Sequence, residues 1–373
     1  CDAKNTTIVI GVHVKYGTSQ VFVSEDLHLN LRNVVLDVAV HTFRFWSWAV
    51  PIETSSFLFN NITGRLHTCR QKQCGLLLRN AHNFKRSSIG LHNVDLNVVG
   101  DFGGMLFDNV GNVAAVEDIS FHSENVTVDH RSSDKSQFFT ILSLRPVANS
   151  SFQMRSIRIA SRNITSTAHI VTVTSDFTNC TMDISDVVAS FEADPNAYAT
   201  AYHWALAFYN MNLNFGSQVS VSNFAVNSTA TGQARLFLLS HGNVGNDSGV
   251  SLKNIVWRGH TSASKGFSAF ATLTRTQFST SSFFIVADIV AVMSAMMMPI
   301  LLSFAKVNAT ALTRVEIDNV VYTGVSHSLE YGSVGFLGDR VAIPALSFTN
   351  WSVSLSSTQE FLTEFPPRFI MVS

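Results

Sequence analysis

The chain has 373 residues and a net charge of −1, and 46% of it is hydrophobic while only 14% is charged, against about 25% charged in a typical soluble domain. This composition excludes disorder, which needs low hydrophobicity with high charge. It also excludes electrostatic nucleic-acid binding, which needs a basic excess to release counterions from phosphate. A large core is affordable, and something other than charge must hydrate the surface.

Residues 1–28 read as an initial strand, over 6–14, followed by a partial coil; 29–373 read as one repetitive domain. From Leu29 an eight-residue pattern recurs: apolar, any, apolar, any, Asn/Asp/Ser, apolar, any, usually apolar. It runs Leu29-Asn-Leu-Arg-Asn33-Val-Val-Leu36, then Ile89-Gly-Leu-His-Asn93-Val-Asp-Leu96, then Phe152-Gln-Met-Arg-Ser156-Ile-Arg-Ile159. Its polar position falls at Asn33, Asn61, Asn93, Asp118, Ser156, Asp186, Asn223, Asn254, Asp288, Asn319 and Asn350, with a mean spacing of about 32 residues, a solenoid period. Another apolar stretch precedes each copy, as in Phe139-Thr-Ile-Leu-Ser-Leu and Trp204-Ala-Leu-Ala-Phe.

Alternation of period two marks strands with one buried face, and helical periodicity is not sustained. Leucine-rich, ankyrin and tetratricopeptide arrays need a helix or their own signature. The unit therefore reads strand, one-residue polar corner, strand, variable loop, strand, turn. We expect an all-β parallel β-helix of about eleven coils. Asn and Asp tolerate the left-handed conformation that a tight corner needs, and stacked about 4.8 Å apart they form a hydrogen-bonded ladder. On these residues the chain resembles the right-handed, pectin-lyase-like β-helix superfamily over roughly residues 29–373. It is also similar to kinetoplastid dispersed-gene-family surface glycoproteins. The resemblance concerns architecture and implies no active site.

The apolar run over 283–304 is long enough for a bilayer, with Asp288 as its one charge. Asp288 keeps the repeat register, so the run reads as two strands joined by a short apolar loop, and no membrane span is expected. Phe121, Phe152, Phe284 and Phe348 fall at inward parity and read as stacked core.

Ser and Thr number 74 and Asn 27, so chance gives about five Asn-x-Ser/Thr sequons; ten occur. Asn5, Asn125, Asn149, Asn163, Asn179, Asn227, Asn246 and Asn308 are expected to be exposed and to carry N-linked glycans, which supply the missing hydration. Asn149, Asn179, Asn246 and Asn308 precede the next corner at similar distances, which places them in one turn column. Asn61 and Asn350 are corner residues themselves, and at least one of them should be bare. The competing explanation is that turn chemistry alone collects sequons.

Secretion makes a Cys69–Cys74 disulfide the natural reading of the polar segment Cys69-Arg-Gln-Lys-Gln-Cys74. Cys180 has inward parity and is expected to be a buried thiol. Cys1 lies about five coils away from it, which leaves Cys1 to an intermolecular partner.

No catalytic residues, cofactor or metal site are expected. Ser240-His241-Gly242 resembles one fragment of the polygalacturonase pattern, whose other segments are absent. The 13 His do not pair at ligand spacing on a strand face. An aromatic group at Tyr198, Tyr202, Trp204 and Tyr209 offers a sugar-binding groove, with surface polysaccharide as its partner. The sequence thus predicts a secreted or cell-surface glycosylated solenoid, structural or adhesive and not an enzyme. Its expected self-partner stacks head to tail into a fibre or is a flanking repeat of a longer solenoid. The alternative is a carbohydrate-active β-helix, binding or cleaving polysaccharide.

Overall fold

The computed structural model describes residues 7–9, 24–25, 28–39, 42–44, 52–75, 83–109, 116–131, 135–143, 146–196, 201–263, 266–296, 299–310, 312–327, 333–337, 341–357 and 368–372. Among them the chain forms a parallel β-solenoid without helices. One coil shows the unit: a bent strand Ser151–Ile164, a flat strand Thr167–Thr174 and a two-residue strand Phe177–Thr178. Each pairs in parallel with its equivalent one coil on, at Thr181–Ala193, Tyr202–Tyr209 and Leu213–Asn214. About eight turns with a repeat of about 31 residues are regular, slightly fewer than the sequence suggests. Bent strands continue on either side, from His28–Ala39 to Leu346–Ser357.

The bend is a single residue in the left-handed region. Asn33, Asn61, Asn93, Asn125, Ser156, Asp186, Asn223, Asn254, Asp288, Asn319 and Asn350 share the register with φ between 50° and 57°. One such residue reverses the alternation of side chains, so both flanking limbs turn apolar residues inward. Around Ser156, Met154 and Ile157 are both about 1% exposed. The fourth position is Asn125, not Asp118 as the sequence pattern indicates. Asp118 also has a positive φ, of 54°, but it belongs to a second corner with Thr54, Arg86, Asn149 and Asn179. Val116-Glu-Asp118-Ile119 imitates the ladder motif because both corners ask for the same backbone. A third left-handed set, Asn210, His241, Arg275 and Lys306, follows the flat strand in later coils.

Directly after the second corner runs a column of small buried residues: Ser55, Ser87, Ser150, Cys180, Ser217, Ser248, Ser282 and Thr313. The Ser87 hydroxyl donates to Lys85 O at 2.7 Å and accepts from Ser55 N at 3.0 Å. Ser150 does the same with Ala148 O at 2.7 Å and Ile119 N at 3.0 Å. These two hydroxyls, and that of Ser217 toward Cys180 N at 3.1 Å, each satisfy a buried backbone amide that the turn leaves without a sheet partner.

Inside, rings pack both across a coil and between coils: Phe152 and Phe177 lie 5.7 Å apart at 14°, Phe121 lies 6.5 Å from Phe152 one coil on, and Phe121, Phe152 and Phe284 are at most 1% exposed. Phe348 departs from its expected burial. It shares the register of Ile317 but is 41% exposed, packed edge-on against Trp351, with no later bent strand over it among the described residues. Large residues are housed by glycines two positions on. A Cβ on Gly259 would stand 2.8 Å from the Trp257 ring, and one on Gly324 would stand 2.6 Å from the Tyr322 hydroxyl. The apolar run forms two strands, Phe283–Ala295 and Pro299–Ala305. Among the described residues no helix is long and apolar enough to cross a membrane.

Candidate functional site

The corner residues form hydrogen-bonded stretches along the outside. Asn61 Nδ2 donates to Asn33 Oδ1 at 3.0 Å, Asn125 to Asn93 at 2.7 Å and Asn254 to Asn223 at 2.6 Å. Asp186 and Asp288 serve as acceptors, from Asn223 at 3.0 Å and Asn319 at 2.7 Å. Asn350 instead donates to Asp318 Oδ1 at 2.9 Å, and Ser156 makes no side-chain hydrogen bond within the ladder. At the second corner Asn179 Nδ2 donates to Asn149 Oδ1 at 2.9 Å.

The nine described sequon asparagines are all exposed; Asn5 lies outside the described residues. Four of them, Asn61, Asn125, Asn179 and Asn350, commit Nδ2, the atom that takes a glycan, to a neighbouring coil. Asn125 thus lies in the ladder. Asn149, Asn163, Asn227, Asn246 and Asn308 keep Nδ2 unengaged. The common column holds for Asn149 and Asn179, and Asn246 adjoins it beside Asp247. Asn308 departs, because it opens the two-residue strand Asn308–Ala309 ahead of that corner.

Cys180 is a free, fully buried thiol. Burial pushes its pKa up, and Sγ donates to Val147 O at 3.2 Å. Cys69 and Cys74 register against Gly100 and Phe102, so three extra residues loop out between them. The side chains of Cys69 and Cys74, and all of Cys1, lie outside the described residues.

The outer face of the flat strands carries an aromatic group; Tyr198 lies outside the described residues. Tyr202 and Trp204 are 5.7 Å apart, and Trp204 and Tyr209 are 5.8 Å apart. The Arg235 guanidinium lies 5.8 Å from the Trp204 ring and 4.5 Å from the Phe267 ring. Trp204 Nε1, Tyr209 OH and Arg235 Nε are buried without a hydrogen-bond partner. Burial with no carboxylate partner lowers the Arg235 pKa to about 10 and raises that of Tyr209. Beneath them His169 bonds Trp204 O at 3.0 Å, and desolvation lowers its pKa to about 4.

Two further histidines lie inside the coil. His130 bonds the Gly100 carbonyl, and burial lowers it to about 4. His203 bonds the Ser228 hydroxyl at 2.9 Å, and burial together with His169 lowers it to about 3. His241 occupies an exposed left-handed corner and contacts the Ser240 hydroxyl at 2.8 Å and Arg275 at 2.6 Å. Gly242 follows because a Cβ there would meet Met211 O at 2.4 Å. Packing accounts for this Ser-His-Gly fragment.

One grouping contradicts the expectation that no histidines pair on a strand face. His92, His122 and Glu124 gather on the outside of two neighbouring bent strands, with their ligating atoms within 4.8 Å of one another. The sequence hides them because His92 meets Glu124 across coils, and only the repeat register brings 92 beside 122 and 124. Comparison with protein-family models and with curated protein sequences gives no match, so the residues and their geometry alone carry the functional reading.

Proposed function

We propose that this chain is an extracellular or cell-surface glycosylated β-solenoid with a structural and adhesive role, akin in architecture to the pectin-lyase-like β-helices. The observation that carries it is the set Asn227, Asn246 and Asn308. All three are exposed, none is at a left-handed φ, and their Nδ2 atoms are unengaged, so neither a left-handed backbone nor the ladder explains an asparagine there. Glycans at these positions hydrate a surface that is short of charge. Adhesion is supported by an apolar column two residues beyond the ladder, where Val188, Val290 and Val321 are 57%, 39% and 46% exposed; contiguous exposed apolar surface marks contact sites. Parallel coil-on-coil addition is also the contact that would extend such a solenoid into a longer array or fibre.

Expression through a eukaryotic secretory pathway with peptide-level glycan mapping tests the reading. Occupancy is expected at Asn227, Asn246 and Asn308, while Asn61, Asn125, Asn179 and Asn350 stay bare. A folded, secreted chain with all three of the former unmodified overturns it.

A polysaccharide-binding face is the second reading, favoured by the three unpartnered donors Trp204 Nε1, Tyr209 OH and Arg235 Nε beside stacked rings. Rings pack on sugar faces, and a guanidinium pairs with a uronate carboxylate. Uronate oligosaccharides should quench Trp204 fluorescence in the native chain and not in Arg235→Met; equal responses would remove this reading.

A further inference from the structure

We propose that His92, His122 and Glu124 form a binding site for a divalent first-row transition metal, with Zn2+ as the reference ion. The three residues project outward from adjacent bent strands Ser88–Asn109 and Ser120–Arg131. His92 and Glu124 are register partners one coil apart, and His122 lies two residues before Glu124 on the same face. His92 Nδ1 is 3.7 Å from Glu124 Oε2, and His122 Nε2 is 3.5 Å from the same oxygen. A tetrahedral ion bound at about 2.05 Å holds its ligands about 3.3 Å apart. Two edges of the required polyhedron are therefore already within a few tenths of an ångström, and the third lies within 4.8 Å.

The surroundings favour this arrangement. His122 Nδ1 lies 3.2 Å from Gln153 Oε1 on the next strand. That bond keeps the proton on Nδ1 and leaves the Nε2 lone pair facing Glu124, the outer contact that metal-ligating histidines use to fix ring and tautomer. Position 90, opposite His122, is glycine, and a Cβ there would stand 3.1 Å from His92 Nε2. The missing side chain lets the His92 ring lie toward His122, with centroids 5.1 Å apart. Arg155, the register partner of Glu124 on the other side, pairs with Asp183 at 3.3 Å instead, so it leaves the carboxylate to the histidines. Strand pairing on both sides holds the three backbones in place, and the remaining coordination positions open to solvent.

The ordinary alternative is a weak exposed ion pair between Glu124 and a protonated histidine. Metal-stripped protein titrated with Zn2+ against a chromophoric chelator separates the two. One zinc is expected whose affinity falls at least about tenfold in His92→Ala, His122→Ala and Glu124→Gln, and about tenfold in Gln153→Ala. His28→Ala and His241→Ala should leave it unchanged. Imidazole NMR resonances of the unsubstituted protein provide a readout that does not depend on variant folding, and Zn2+ should shift His92 and His122 ahead of the other histidines. Zinc affinity unchanged in the His92→Ala/His122→Ala double variant, or no selective shift of these two rings, overturns the proposal.

Discussion

Acidification should loosen this solenoid well above the pH at which its carboxylates titrate, because three imidazoles are buried neutral. Desolvation lowers His130 and His169 from 6.5 to about 4 and His203 from 6.5 to about 3. Asp101 and Asp129 pull His130 upward and do not offset its burial. A depressed folded pKa means the unfolded chain binds more protons, so stability rises with pH. The contribution is fully present above about 6.5 and is lost as pH falls toward about 4. At pH 5 an unfolded imidazole is almost wholly protonated and a folded one almost wholly neutral, which costs about 2 kcal/mol per histidine. Three such groups amount to about 6 kcal/mol, comparable with the stability of a whole domain at about 5–15 kcal/mol. Denaturant titrations at pH 7.5 and pH 5, followed through the fluorescence of Trp204 and Trp257, measure the loss. Hydrogen exchange should place the earliest opening in the coils around 100–130 and 169–203. His130→Gln keeps a donor for the Gly100 carbonyl and removes the titration, so it should flatten the pH dependence by about a third. Equal midpoints at the two pH values, or undiminished pH dependence in the variant with all three histidines replaced by Gln, would refute the reasoning.

Ser156→Asn should stabilise the fold by about 1 kcal/mol, because Asn accepts the left-handed φ of 53° better than Ser and can donate to Asn125 Oδ1, lengthening that ladder segment by one coil; an unchanged or lower denaturation midpoint counts against it. Cys180→Ser should change stability by no more than about 1 kcal/mol although the residue is fully buried, since Ser150 and Ser217 occupy the same column on the neighbouring coils. A loss above about 2 kcal/mol would show that the column does not set the preference.

The repeat was legible because its constraints are local: an apolar-x-apolar pair, a residue tolerant of left-handed φ, then a second pair. The same locality misplaced Asp118, since a second corner seven residues earlier in the coil makes an identical demand and Val116-Glu-Asp118-Ile119 satisfies it. The serine column carried a weaker signal, a Ser six residues before six of the eleven ladder positions, with Cys180 and Thr313 in two more, hidden among 74 Ser and Thr. His92, His122 and Glu124 were out of reach of any linear motif, because their adjacency exists only once coils are stacked in register. Phe348 had the right parity, but burial also needs a coil above, which parity does not describe.

The structure changes what the sequon count means. Asn61, Asn125, Asn149, Asn163, Asn179 and Asn350 all have φ between 49° and 57°, a conformation in which Asn is the preferred residue with a side chain. Strands rich in Ser and Thr then supply the hydroxyl residue two positions on. At those six positions the excess over chance has a backbone cause, and at four of them the glycan-accepting nitrogen already binds the next coil. A sugar there would take one of the two N–H groups and place a ring within the roughly 4.8 Å between coils. Asn227, Asn246 and Asn308 have no such cause. Fewer positions therefore bear on glycosylation than the ten sequons suggest, and of these three Asn227 and Asn308, which lie in strands, separate sugar chemistry from turn chemistry, whereas Asn246 sits in the turn closed by Ser248 N on Gly245 O.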